Sequence, residues 1–303
     1  MLEVHDVSKA YKEVLALDHI SFGAPSGQIT GFLGPNGAGK TTMISILLGL
    51  SQANSGEALL NGQPIGAVKD VHATVGAVLG GESLHPGLKV SRTLEVQCAV
   101  TEVGPAIIPE LLKKVDLEDA VNRRVNHLSL GMKQRLALAV ALTADPEILL
   151  LDEPANGLDP QGMHWLRDYL RELADRGKTI FLCSHLLSEL ELMADRVVVI
   201  NHGRLLRESS LEEWHDEAEN IVQVSSNDEL ALKKTIQGLG GQVVNDDGGL
   251  LKVKGVHAEA LGVAANQANL ALRHLSEPQQ SLEQLYLQLC LDEDAKLLRG
   301  EAR

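Results

Sequence analysis

Cysteine is scarce: Cys98, Cys183 and Cys290 are the only three in 303 residues, far apart and without a CxxC pair. That spacing excludes a disulfide framework and a CxxC redox or metal motif, and it fits a reduced cytosol. Long apolar runs are missing as well, since no stretch reaches the roughly 18 uninterrupted apolar residues of a bilayer span. The N-terminus, MLEVHD, lacks the basic and apolar regions of a leader. The expectation is a chain neither secreted nor membrane-spanning, whose membrane role, if any, runs through a partner. Positive charge is short: 27 Lys and Arg face 41 Asp and Glu, for a net charge of −14. From Arg204 onward 10 bases meet 17 acids, so −7 falls on each side of that point and neither part is a basic arm. Such a surface repels a phosphate backbone and excludes a broad nucleic-acid face. Internal repeats and low-complexity tracts are absent too.

What remains is an ordinary globular composition, 44% hydrophobic and 22% charged, in a length suited to one large or two modest domains. Gln28 to Leu33, QITGFL, reads as a short strand that runs into a glycine-rich turn and then into an apolar helical segment, Thr42 to Leu50. Ile148 to Leu151, Thr179 to Ser184 and Arg196 to Ile200 are short Ile, Leu and Val runs of the kind buried in parallel sheets. Helical stretches such as Gly162 to Arg176 separate them, which predicts an α/β domain over residues 1–205. The segment from Val90 to Asn126 carries helical periodicity and no strand signal, and predicts a helical insertion that continues to about residue 145. Beyond it, residues 206–303 read β-α-β-β-α-β-α, the split βαβ pattern of a small α+β, ferredoxin-like module centred on 218–290.

Two motifs carry chemistry. Gly34-Pro35-Asn36-Gly37-Ala38-Gly39-Lys40-Thr41 fits GxxxxGK[ST] between a strand and a helix, with Thr42 next in that helix. Its glycines let backbone N–H groups turn onto phosphates, and the helix offers its positive end to the same charge. Lys40 is expected on the β- and γ-phosphates and Thr41 on Mg²⁺. ILLLDEP, Ile148 to Pro154, ends an apolar strand on Asp152 and Glu153. Hydrolysis needs a metal anchor and a carboxylate that polarises water, and these adjacent acids are expected in those two roles, in that order.

Further residues bring a resemblance. Leu128-Ser129-Leu130-Gly131-Met132, followed by Lys133-Gln134-Arg135, resembles the LSGGQ signature of ABC-type ATPases, and it precedes the DEP strand as in that family. Gly157-Leu158-Asp159 looks like the family's D-loop and Ser184-His185 like its switch histidine, while Tyr11 stands where these proteins place an aromatic under the adenine. The resemblance spans residues 11–185 and implies a P-loop NTPase fold with a helical subdomain, ATP and Mg²⁺ as ligands, and a contact from His185 to the γ-phosphate. Ser129 and Gly131 stand before the helical run Lys133 to Thr143, a helix N-terminus suited to an anion. The family closes this signature, together with the D-loop Asp159, on the nucleotide held by a second copy or a paralogous ATPase. The overall texture of the chain, including the extra C-terminal module, is similar to ATP-binding subunits of antibiotic and multidrug exporters. That implies an integral membrane permease as partner and a place at the cytoplasmic face of the membrane.

One position departs from the pattern. Where the family has a Mg²⁺-ligating glutamine, this chain reads Leu79-Gly80-Gly81-Glu82, with glycine at the aligned position. Either water or Glu82 supplies the missing metal ligand, or Glu82 is a solvated loop acid. Two other classes share part of the pattern. A soluble ABC-type ATPase acting on ribosomes, DNA or a biosynthetic assembly is opposed by the single phosphate loop, the lack of a heptad run and the acidic charge. A silent binding module is opposed by Lys40, Asp152, Glu153 and His185, with Gly80 its only support.

Overall fold

In the computed structural model, residues 1–79, 84–219, 221–277 and 282–299 are described. The chain divides into two compact units, Met1–Ser209 and Ser210–Arg303. The first is built on a six-stranded sheet. Its strands are β3 (Ile29–Leu33), β5 (Val75–Val78), β6 (Ile148–Asp152), β7 (Thr179–Ser184), β8 (Arg196–Asn201) and β9 (Arg204–Ser210), in the spatial order β5-β6-β7-β3-β8-β9. From β5 to β8 every pairing is parallel. All residues of β3 and β7 are buried, which is why ITGFL and TIFLCS read as runs and not as alternation.

Register decides where the loops emerge. Leu33 pairs with Ser184, and Asp152 with Cys183, so β3, β6 and β7 end level with one another. The glycine-rich turn, the DEP segment and the Ser184-His185 segment therefore leave the sheet side by side, at the carboxyl edge where open α/β sheets bind ligands. Because β9 belongs to this sheet, the first unit runs past residue 205 and ends at Ser209.

A second, antiparallel sheet covers one face, with β1 (Leu2–Tyr11) between β2 (Val14–Ala24) and β4 (Ser55–Leu60). The sequence reading passes over it for a physical reason. Asp6 and His19 both take positive φ, 52° and 53°, and the β1–β2 register shifts between Val4 and Val7 and again beyond it, which interrupts the two-residue period. The three phenylalanines of the chain, Phe22, Phe32 and Phe181, pack together between the two sheets with ring centroids 5.2 to 5.5 Å apart, Phe22 stacked on Phe181 and Phe32 tilted against both. Helix α1 (Lys40–Leu47) buries Met43, Ile44 and Leu47 in the same core.

After the short helix α2 (Val71–Thr74), the expected helical insertion takes the form of α3 (Val90–Val100), α4 (Ile108–Lys114) and α5 (Leu130–Ala141), with one 3₁₀ turn between the first two and two between the last two. They share a core of their own that includes Leu94, Cys98, Leu112, Val115 and Leu136. The end of α5 lies directly on β5. A Cβ on Gly76 would overlap the Ala141 carbonyl oxygen and come within 2.8 Å of Pro146 Cγ. Gly76→Ala is therefore expected to destabilise the protein by about 1–3 kcal/mol, the usual cost of overpacking against backbone. Denaturant unfolding measures it, and an unchanged midpoint would mean that α5 shifts freely over the sheet. Helix α6 (Pro160–Asp175), opened by Asp159 and Pro160, and α7 (Leu187–Met193) complete the unit.

The second unit holds α8 (Leu211–Glu219), β10 (Ile221–Ser226), α9 (Glu229–Gly238), β11 (Gln242–Asp247), β12 (Leu250–Lys254), α10 (Ala258–Gln267), β13 (Leu272–Ser276) and α11 (Leu282–Arg299). Its four strands are antiparallel in the order β11-β12-β10-β13, the order of a split βαβ arrangement, around Val222, Val224, Leu251, Val253, Leu232, Ile236 and Leu261. Among the described residues, no helix is long and apolar enough to cross a membrane.

Candidate functional site

Between β3 and α1 the chain makes a turn that only glycine permits at its key points. Gly39 sits at φ +111°, and a Cβ there would lie 2.6 Å from the Ala16 carbonyl oxygen; a Cβ on Gly34 would lie 2.7 Å from that of Ile200. The turn delivers Lys40 at the first position of α1, 7% exposed, with its Nζ donating to the carbonyls of Gly34 at 2.6 Å and Pro35 at 3.3 Å. The ammonium is thus held over the mouth of the loop by the loop's own carbonyls. The first N–H groups of α1 have no intrahelical partners, which makes this end a seat for negative charge.

The carboxylates stand opposite. Asp152 Oδ2 accepts from Thr41 Oγ1 at 3.2 Å, and Glu153 Oε1 lies 3.5 Å from Lys40 Nζ. On its other oxygen, Glu153 Oε2 is 2.8 Å from His185 Nδ1. Burial pushes the Asp152 carboxyl above the ordinary carboxylate range and the neighbouring Glu153 adds to the push, against the opposing pull of the Thr41 hydroxyl and Lys40. Its charged form is penalised, so on this account the empty protein loses stability as pH rises through that raised pKa, and a bound cation reverses the penalty. Glu153 itself is held in the left-handed region at φ +49°, with its N–H donating to the Cys183 carbonyl at 3.0 Å. Lys40, Thr41, Thr42, Asp152 and Glu153, with Asn36, Gly37, Gly39 and Ala16, line a cleft of about 260 Å³.

Ser129, Gly131 and Asp159 are not in that cleft. They line a second one of about 560 Å³, together with Leu130, Met132 and Leu158. Helix α5 begins at Leu130, earlier than its sequence pattern indicates, because Ser129 caps it: the serine Oγ accepts from the Met132 N–H at 3.2 Å. Gly131 in the first turn is tolerated there, where N–H groups lack helical partners anyway. Asp159 caps α6 in the same way, accepting from the Gly162 N–H at 2.7 Å. Tyr11 closes β1, 48% exposed, with its OH 3.2 Å from Ser51 Oγ and Lys9 Nζ 4.9 Å from its ring centroid. It does not line the first cleft. Gly80 and Glu82 lie outside the described residues. Two contributors have no role in the sequence reading: Ala16, on β2 at the cleft wall, and Gln134, quoted there only as a residue following the signature, which is buried on α5 and donates to the Glu153 carbonyl at 3.4 Å. Its place directly after the signature, ahead of the apolar run Leu136 to Leu142, is the sequence signal for Gln134.

A family model described as ABC transporter matches residues 17–156. The chain is 39% identical over 213 residues, 68% of its own length and 68% of the relative's, to the uncharacterized ABC transporter ATP-binding protein YhcH of Bacillus subtilis. The chain belongs to the ABC transporter ATP-binding proteins. Other members of that family are similar over comparable spans. The Nod factor export ATP-binding protein I of Burkholderia pseudomallei is 39% identical over 69% of this chain and 70% of its own. The lantibiotic transport ATP-binding protein SrtF of Streptococcus pyogenes is 35% identical over 77% of this chain and all of its own. Among solved structures, the dimeric ATP-binding cassette MJ0796, in a post-hydrolysis state with ADP and Pi, aligns with TM-score 0.64 and 26% identity over 70% of this chain and 99% of its own. As an ABC ATPase, the chain binds ATP and hydrolyses it. A second family model, described as a domain of unknown function, matches residues 220–283 of the C-terminal unit.

Proposed function

We infer that this ABC ATP-binding subunit drives a separate integral membrane permease from the cytoplasmic face of the membrane, exporting a drug, an antibiotic or a lipid-like compound. A relative named for Nod factor export supports the export direction, and one named for lantibiotic transport supports an antibiotic-like compound. The observation that carries the mechanism is the separation of the two clefts: the phosphate loop with its carboxylates on one, the signature with Asp159 on the other. One chain holds both halves of a nucleotide site and brings them to different places. Two chains, head to tail, complete two sites, each a self pair or a pair with a paralogous ATPase, and the dimeric neighbour supports that arrangement.

Within each site, Lys40 and the backbone N–H groups of Gly37, Gly39 and Lys40 to Thr42 hold the ATP phosphates, and Tyr11 stacks on the base. Ser129 and Gly131 of the other chain close on the γ-phosphate. Glu153 polarises the attacking water, and His185, 2.8 Å from it, contacts the γ-phosphate and orients the carboxylate. The Thr41 hydroxyl and the Asp152 carboxylate, 3.2 Å apart, are hard oxygen donors that fit Mg²⁺, which keeps water and phosphate oxygens as its remaining ligands. Mg²⁺ so bound would neutralise charge developing on the phosphates. Closure performs work because the γ-phosphate meets the signature in one state only, which is the differential affinity that a population shift requires. The helices α3 to α5 pass that motion to the permease, and the C-terminal unit clamps the dimer. No nucleic acid takes part.

Sedimentation with a nonhydrolysable ATP analogue tests this reading. The full chain, with its membrane companion supplied, is expected to shift from monomer to dimer, and a chain ended at Ser209 is expected to need a higher subunit concentration for the same shift. A strictly monomeric full chain would overturn the composite site, and an unshifted concentration dependence would remove the clamp.

A further inference from the structure

Helix α5 lines the second cleft and contacts the backbone of a residue that lines the first. Its start carries Ser129 as cap and lines the second cleft through Leu130, Gly131 and Met132. Just beyond, Gln134 turns inward: it is 6% exposed, and its Nε2 donates to the Glu153 carbonyl at 3.4 Å. The other end of that amide, Oε1, is buried and meets no hydrogen-bond partner among the described residues. A buried, half-satisfied amide is costly, so packing alone would be better served by an apolar side chain.

Its target is a strained point of the chain. Glu153 at φ +49° opens a turn in which the Asn156 N–H also donates to the Glu153 carbonyl, at 3.1 Å. The far end of the same turn is gripped by the same helix. Gly157 lies at φ +77°, and a Cβ there would overlap Leu130 Cδ2 and come within 2.6 Å of Leu130 Cγ. Residues 153–157 are thus held by α5 at both ends. Any displacement of α5 moves the backbone from which the Glu153 carboxylate reaches Lys40 and His185.

We propose that Gln134 is a positioning residue that couples the two nucleotide sites of the dimer. Resting on the head-to-tail reading above, it passes the engagement of Ser129 and Gly131 with one ATP to the Glu153 that acts on the other. Its amide sets the Glu153 backbone, and it touches neither nucleotide. Signature engagement shifts α5, and the Gln134 contact turns that shift into an aligned carboxylate.

The test uses full-length protein and compares Gln134→Met, which keeps the length and loses the donor, with Gln134→Asn, which falls one methylene short. Both are expected to keep ATP affinity and ATP-driven dimerisation, the latter read in a Glu153→Gln background, within about twofold of the parent, while kcat falls about tenfold at unchanged KM. Combined with Ser129→Ala, itself expected to cost about tenfold in kcat, Gln134→Met should add little, because one path is cut twice. Near-normal kcat in the Gln134 variants overturns the proposal, as does a fully multiplicative loss in the double variant. So does a parallel fall in ATP affinity, which marks a merely structural side chain. If Gln134→Met does not fold, Gln134→Asn decides. A Glu153→Gln parent that stays monomeric with ATP even with its membrane companion supplied brings down the dimer reading, and this proposal with it.

Discussion

Glu153→Gln is expected to lower ATP hydrolysis by about 10²- to 10⁴-fold, the range supplied by a positioned general base, while ATP binding survives and a closed dimer accumulates. The substitution is nearly isosteric, and the backbone that holds the side chain is fixed independently: the N–H on the Cys183 carbonyl, the carbonyl on Gln134 and Asn156. What changes is chemistry. The carboxylate, 23% exposed and bracketed by Lys40 at 3.5 Å and His185 at 2.8 Å, accepts a proton from water; an amide does not. Charge changes in the same direction. Removing one of two adjacent acids facing the phosphates leaves less repulsion against ATP, so affinity is expected to hold or tighten. Phosphate release, fluorescent-nucleotide binding and light scattering on one sample separate these effects. Ordinary turnover would remove Glu153 from the water-polarising role. Joint loss of hydrolysis and binding would instead report a collapsed cleft.

Much of this cleft is legible in the sequence because its parts are local. The β3, β6 and β7 strands are short, largely apolar runs, and their chemistry begins at the next position: Gly34 after Leu33, Glu153 after Asp152, His185 after Ser184. The antiparallel sheet is hidden for the opposite reason, since the positive φ at Asp6 and His19 shifts its register and destroys the alternation that would announce it. Helix α5 begins at a cap, which a periodicity count places too late. That Ser129 and Asp159 face a different cleft from Lys40 follows from how α5 and α6 pack, a tertiary fact with no short-range signature. Gln134 is the sharpest case: a polar letter beside the signature, whose meaning lies in a contact 19 residues away in sequence.

Lys40→Ala is expected to weaken ATP binding itself, by about 10- to 100-fold, the value of a hydrogen bond to a charged group in a preorganised site. Lys40 Nζ already stands within 2.6 Å of the Gly34 carbonyl and 3.3 Å of that of Pro35, so little ordering remains to be done when phosphate arrives. The two carbonyls lose their donor in the variant, but Asn36 and Gly37 beside them are exposed and water can replace it, so the nucleotide-free protein is expected to melt only slightly lower. The two effects separate in a thermal-shift titration. Saturating Mg-ATP at about 100 times Kd stabilises the parent by about 2.7 kcal/mol, and a variant bound 100-fold more weakly gains only about 0.4 kcal/mol at the same concentration. An equal melting shift in parent and variant would mean that the ammonium does not meet the phosphates. The glycine-rich turn would then be a structural corner of the sheet, and the carboxylates opposite it would have no γ-phosphate to act on.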